Sequence, residues 1–199
     1  MKKIVEVIWV ALMLLIAIPA NAQINFGMKG GVNISSVQFN KDIVSSSNIT
    51  GFQIGPMIEI MAPYLGVGID AAVLYSQKGM KDVDGQEENL TTDYIDVPLN
   101  FKWKFGLPLL KGYLAAGPYV GFRIGGDRIW NIPGRVNSQI ETKSFAAGLN
   151  FGLGVEVISH LQVGFNYGLG LTNNYSGVDG NETFEGKHRG WTISAAILF

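Results

Sequence analysis

In "LQVGFNYGLGL" (Leu161 to Leu171) a large apolar residue alternates with a glycine or an amide at every step. Leu161, Val163, Phe165, Tyr167, Leu169 and Leu171 form one set, and Gln162, Gly164, Asn166, Gly168 and Gly170 the other. A period of two puts the sets on opposite faces of a β-strand. Any fold for this chain must give the bulky face an apolar neighbour and the glycine-amide face a narrow, polar one.

The pattern returns seven times. "INFGMKGGVNI", "FQIGPMIEI", "LGVGIDAAVLY", "YIDVPLNFKWKF", "YLAAGPYVGFRI", "FAAGLNFGLGVEV" and "WTISAAILF" each carry it. The sharpest is "YIDVPLNFKWKF", where Ile95, Val97, Leu99, Phe101, Trp103 and Phe105 oppose Asp96, Pro98, Asn100, Lys102 and Lys104. The eight segments have roughly the 9–11 residues that a tilted membrane strand needs. Their connections alternate between long polar loops, such as "SQKGMKDVDGQEENLTTD", and the short turns "MAPY", "GLPLLKG" and "ISH". This predicts an all-β fold, an eight-stranded antiparallel transmembrane up-and-down β-barrel, with both termini on the short-turn side.

Lipid offers no hydrogen bonds to backbone groups, so a spanning sheet has to close on itself. An eight-stranded barrel encloses little more than side chains can fill. The bulky set therefore faces outward to outer-membrane lipid, and the Gly, Asn, Ser and Ala set faces inward. Outward aromatics fall at strand ends: Phe52, Tyr75, Phe145 and Trp191 at the long-loop end, and Phe26, Trp103, Phe105 and Phe199 at the short-turn end. Two such girdles mark the two interfaces. The inward set carries Lys29, Lys102, Lys104 and Arg123 against Glu59, Asp70, Asp96 and Glu156. Unpaired charges in a narrow lumen are expensive, so these predict a neutralised network that plugs the barrel. The competing expectation is a small selective channel lined by the same charges.

The first residues read "MKKIVEVIWVALMLLIAIPANAQ": a basic start, an apolar run and the small-residue triplet Ala20-Asn21-Ala22. This is the form of a secretory signal peptide over residues 1–22, with the barrel domain over 23–199. An N-terminal membrane anchor is the alternative, but Glu6 cuts the apolar run short of a span. The chain has no Cys, which excludes disulfides, thiolate metal sites and a lipid-modified N-terminal cysteine. A net charge of -1 gives no basic stripe for nucleic acid. Only 16% of the residues are charged, too few for the polar set to be a soluble exterior. That weighs against a secreted lipocalin-type barrel with its faces reversed.

"FGMKGGVNIS", "YIDVPLNFKWKF", "GPYVGFRIGG", "FGLGVEV", "VGFNYGLGLTN" and the terminal aromatic resemble the PorT-type outer-membrane β-barrel family. The resemblance covers residues 23–199 and implies a Gram-negative outer-membrane location. It also implies insertion by the barrel-assembly machinery, which reads a C-terminal aromatic, here Phe199. Some members of that family serve protein secretion, a role that fold likeness alone does not transfer.

No catalytic, cofactor or metal site is expected. His160 and His188 fall at opposite ends of the barrel, so they share neither a metal nor a proton. Eight-stranded lipid-modifying enzymes pair a His with a nearby Ser, whereas His188 is followed by Arg189, Gly190 and Trp191. "DVDGQEEN" (Asp82 to Asn89) lacks EF-hand spacing and reads as a solvated acidic loop. The remaining functional surface is the four long loops. They carry Lys81, Asp82, Glu87, Glu88, Asp127, Arg128 and Arg135, with Trp130, Ile132 and Pro133 as a contact for a protein partner or a lid over the mouth.

Overall fold

A computed structural model describes residues 22–39, 46–47, 49–62, 65–83, 86–126, 129–131, 138–179 and 182–199. The expected signal peptide, apart from Ala22, lies outside the described residues, as do Asp127, Arg128, Ile132, Pro133 and Arg135. So do the side chains of Lys81, Asp82, Glu87, Glu88, Trp130 and His188.

Eight antiparallel strands form the wall. They are β1 (Gln23–Phe39), β2 (Ile49–Ala62), β3 (Val67–Ala72 and Leu74–Val83), β4 (Gln86–Leu107), β5 (Leu110–Gly126), β6 (Phe145–Val157), β7 (Leu161–Asp179) and β8 (Glu182–Leu198). Each pairs with its neighbours in sequence, and β1 pairs with β2 on one side and β8 on the other, which closes the ring. Every edge is thereby consumed, as a lipid environment demands.

The register fixes the stagger of the barrel. From Ile24 the pairing runs through Ile60, Ile69, Phe101, Ala116, Phe151, Tyr167 and Trp191 and returns to β1 at Ile34, ten residues further on. All nine stand at outward positions of their strands, eight of them bulky and the ninth Ala116, and the stagger is even. Strand closure therefore keeps the apolar face outside all the way round. Ile24, Phe101, Phe151, Trp191 and Ile34 are exposed on the outer wall.

β3 is interrupted at Val73 for a local reason. The Val73 N–H donates to the Pro56 carbonyl at 3.0 Å, but proline has no N–H to return the second bond of the pair. The register on either side is unchanged: Met57 pairs with Ala72, and Ile54 with Tyr75. The break is thus one missing ladder bond, with no bulge.

The strands exceed their alternating stretches at the long-loop end. β3 and β4 stay paired out to Val83 and Gln86, and β7 and β8 to Asp179 and Glu182. The segments read as loops "SQKGMKDVDGQEENLTTD" and "TNNYSGVDGNETFEGKHR" are thus largely hairpin extensions. Backbone pairing continues wherever partners are in register, but alternation stops where neither face meets lipid. In the third long loop, Ile129–Asn131 pairs with Ser138–Thr142, which also pairs with β7.

At the other end the β6–β7 connection is a three-residue turn, Ile158 to His160. The His160 N–H donates to the Val157 carbonyl at 3.2 Å. Ile158 and Ser159 both have positive φ, 55° and 60°. This is the type I′ geometry that matches strand twist.

Candidate functional site

The outer wall offers apolar and aromatic side chains, so the chemistry of the described residues lies in the lumen. Its centre is Glu59 on β2, which is 0% exposed. Glu59 Oε2 accepts hydrogen bonds from Lys102 Nζ and from Gln162 Nε2, each at 2.9 Å. Glu59 Oε1 accepts from Lys104 Nζ, and from Asn25 Nδ2 at 3.5 Å. Four donors fill the four lone-pair positions of one carboxylate.

Lys102 uses all three of its N–H donors. They go to Glu59, to Asp70 Oδ2 at 2.7 Å and to Gln162 Oε1 at 3.1 Å, and the ammonium stands 4.8 Å from the centre of the Tyr113 ring. Asp70 also accepts from Asn100 Nδ2 at 2.8 Å. Lys104 bridges Glu59 to Glu156. Glu156 in turn accepts from Gln162 at 2.8 Å and from Lys111 at 3.2 Å. Lys111 reaches Ser159 Oγ at 3.1 Å, which ties the left-handed β6–β7 turn to the cluster.

The strands involved matter as much as the distances. Glu59 stands on β2 and Glu156 on β6, four strands apart and so on opposite walls of an eight-stranded ring. Lys104 on β4 and Gln162 on β7 connect them from either side. Three ammonium groups and three carboxylates cancel in charge, and the hydrogen bonds replace the water these groups lost.

Glycine makes this packing possible. A Cβ at Gly154 or Gly164 would run into Tyr113, and one at Gly148 into Tyr119. The inward glycines leave the room that the rings of two inward tyrosines occupy. An apolar cluster of Met57, Ala72, Leu74, Ala196 and Leu198 fills the lumen between β2, β3 and β8.

Not all the charges read from the sequence meet. Glu59, Asp70, Lys102, Lys104 and Glu156 form one cluster. Asp96 stands apart and pairs with Lys78 at 2.6 Å, whose ammonium lies 5.1 Å from the Tyr94 ring centre and 5.4 Å from that of Tyr119. Arg123 is near the mouth, with Nη1 donating to the Gly126 carbonyl at 3.5 Å. Lys29 makes no ion pair or hydrogen bond among the described residues. Lys78 falls in a segment expected as a loop and Lys111 in one expected as a turn, so neither is among the expected lumen charges. Their even and odd positions, in step with Asp70 and Tyr113, carried the signal.

The girdle residues Phe26, Phe52, Trp103, Phe105, Phe145, Trp191 and Phe199 are exposed on the outer wall, and Tyr75 is partly exposed. Several touch: Phe52 and Tyr75 at 5.6 Å, and Trp103 and Phe105 at 5.2 Å. The long-loop band also takes in Phe122, 5.5 Å from Phe145, and Tyr167, 4.5 Å from Trp191. Alternation places both outward, and the structure adds them to the girdle. The Tyr75 hydroxyl donates to Asp93 at 2.8 Å, a polar tip at the end of the apolar band. Of the histidines, His160 lies in the β6–β7 turn and His188 at the far end of β8, paired with Val37.

The family described as "outer membrane protein beta-barrel domain" matches residues 20–176. The chain belongs to that family. Among solved structures, this outer-membrane barrel is similar to the outer membrane protein OprG from Pseudomonas aeruginosa. The two share 13% identity at a TM-score of 0.54, over 88% of this chain and 95% of that one. It also matches the attachment invasion locus protein Ail of Yersinia pestis, with 12% identity and a TM-score of 0.48, over 88% and 98% of the two chains. Neisserial surface protein A matches with 14% identity and a TM-score of 0.46, over 87% and 97%. Among curated protein sequences no relative is found. At this identity the likeness to OprG establishes the fold alone.

Proposed function

We propose that this is a sealed, non-enzymatic outer-membrane barrel that acts through the loops at its long-loop end, as a surface for adhesion or for a protein partner. The long loops face the cell exterior and both termini face the periplasm. The observation that carries the reading is the bridge Glu59–Lys104–Glu156, which joins opposite walls through three buried charged side chains. A lumen closed by satisfied charges contributes rigidity, and the hairpin extensions then become the part free to vary. The motifs "YIDVPLNFKWKF" and "GPYVGFRIGG" support a finer placement with the PorT-type barrels. Phe199, whose backbone is paired with Phe26, is the contact proposed for the assembly machinery.

In planar bilayers the purified barrel is expected to leave the membrane current at the level of lipid alone. Reproducible stepwise openings would replace this reading with the small-channel alternative. The orientation has its own check. An epitope inserted at residues 84–85, between β3 and β4, should be labelled by antibody on intact cells. Labelling only after the outer membrane is opened would invert the barrel.

A further inference from the structure

Above the charge cluster, towards the long-loop end, the lumen holds a cavity of about 70 Å³. That is room for several waters or for one small hydrated ion. Its wall includes Lys29 and Lys78 and is otherwise largely amide, hydroxyl and aromatic, with Asp96 the one acid. It shares no lining residue with the second cavity, about 420 Å³, at the short-turn end.

Among the described residues, the charges around this cavity do not balance. Lys102, Lys104 and Lys111 are matched by Glu59, Asp70 and Glu156, and Lys78 by Asp96. Lys29 is left over. Asp70 is the acidic group it feels most strongly, but Asp70 lies beyond ion-pair distance and is already held by Lys102 and Asn100. The side-chain amides of Gln53 on β2 and Asn150 on β6, which also line the cavity, make no hydrogen bond among the described residues. The cavity thus presents one uncompensated cation and two sets of free N–H donors. Two wall oxygens, Asn100 Oδ1 and Asp96 Oδ1, lack a donor as well, and water can supply it. Water cannot supply a negative charge, and an ammonium without one in a narrow lumen is costly.

We propose that this cavity is a binding site for one small monovalent anion of halide size, held by Lys29 and by the amides of Gln53 and Asn150. The second ammonium, Lys78 on β3, adds to the positive field, although its own charge is matched by Asp96. The anion is a structural counter-ion. It neutralises Lys29 and ties β1 and β2 to β6, so the folded barrel binds it and the unfolded chain does not.

The test uses bromide on the whole mature barrel in detergent. Thermal unfolding, read by gel mobility, is compared in sodium bromide and in sodium gluconate at equal ionic strength. A saturable rise of about 2–4 °C is expected in bromide. Crystals grown with bromide should show one anomalous peak beside Lys29 Nζ. Lys29→Met should abolish both effects, and Lys29→Arg, which keeps the charge, should retain them. Three results would overturn the proposal: no bromide dependence, a dependence that persists unchanged in Lys29→Met, or a crystal peak with no effect in solution. If Lys29→Met does not fold, Lys29→Arg and the wild-type titration still decide.

Discussion

Lys102→Met is expected to destabilise the barrel by about 3–5 kcal/mol, the usual consequence of taking one partner out of a buried ion cluster. Methionine fills nearly the same space, so the loss is electrostatic. Lys102 is 2% exposed, and its removal leaves Asp70 with only the Asn100 amide and strips one donor from Glu59. Equilibrium unfolding in urea from detergent or vesicles measures it. The double variant Lys102→Met, Asp70→Asn should recover a substantial part, because it removes the stranded charge together with its partner. A cost below about 1 kcal/mol for the single variant would put the pair in the range of solvated ion pairs. The lumen would then be wet, and the sealed reading would fall with it.

Phe151→Arg is the second large effect. Phe151 stands at the centre of β6, is 48% exposed and points away from the lumen. In lipid, arginine near the bilayer midplane costs about 2–4 kcal/mol, and near an interface about 0–1 kcal/mol. Leu107→Arg, at the short-turn end of β4, supplies the interfacial comparison. Unfolding from phospholipid vesicles should therefore separate the two variants by roughly 2 kcal/mol or more. Equal, small effects at both positions would mean that the bulky face meets water, and the assignment of faces would be reversed.

These two substitutions probe the two faces of the same strands, and the faces were read from the sequence with unequal success. Alternation is a local property of the chain. It alone told which residues of "LQVGFNYGLGL" stand together, and with the size of an eight-stranded lumen it told which set faces out. β6 was legible to the residue, Phe145 to Val157, because both its ends fall at the membrane boundary. The far ends of β3, β4, β7 and β8 were not, because beyond lipid the ladder persists without any demand on side-chain polarity.

The eight strands, their order, their inward and outward sets and the presence of charge in the lumen were thus determined by the sequence itself. The pairing of those charges was decided only by the tertiary structure. Glu59 and Gln162 are 103 residues apart and meet because the ten-residue stagger brings β2 and β7 to one level. The same stagger sets Lys29 apart from every carboxylate and gives Asp96 to Lys78 instead. Periodicity fixes the direction in which a side chain points, whereas its height in the barrel depends on register, and register is a sum over all eight pairings around the ring.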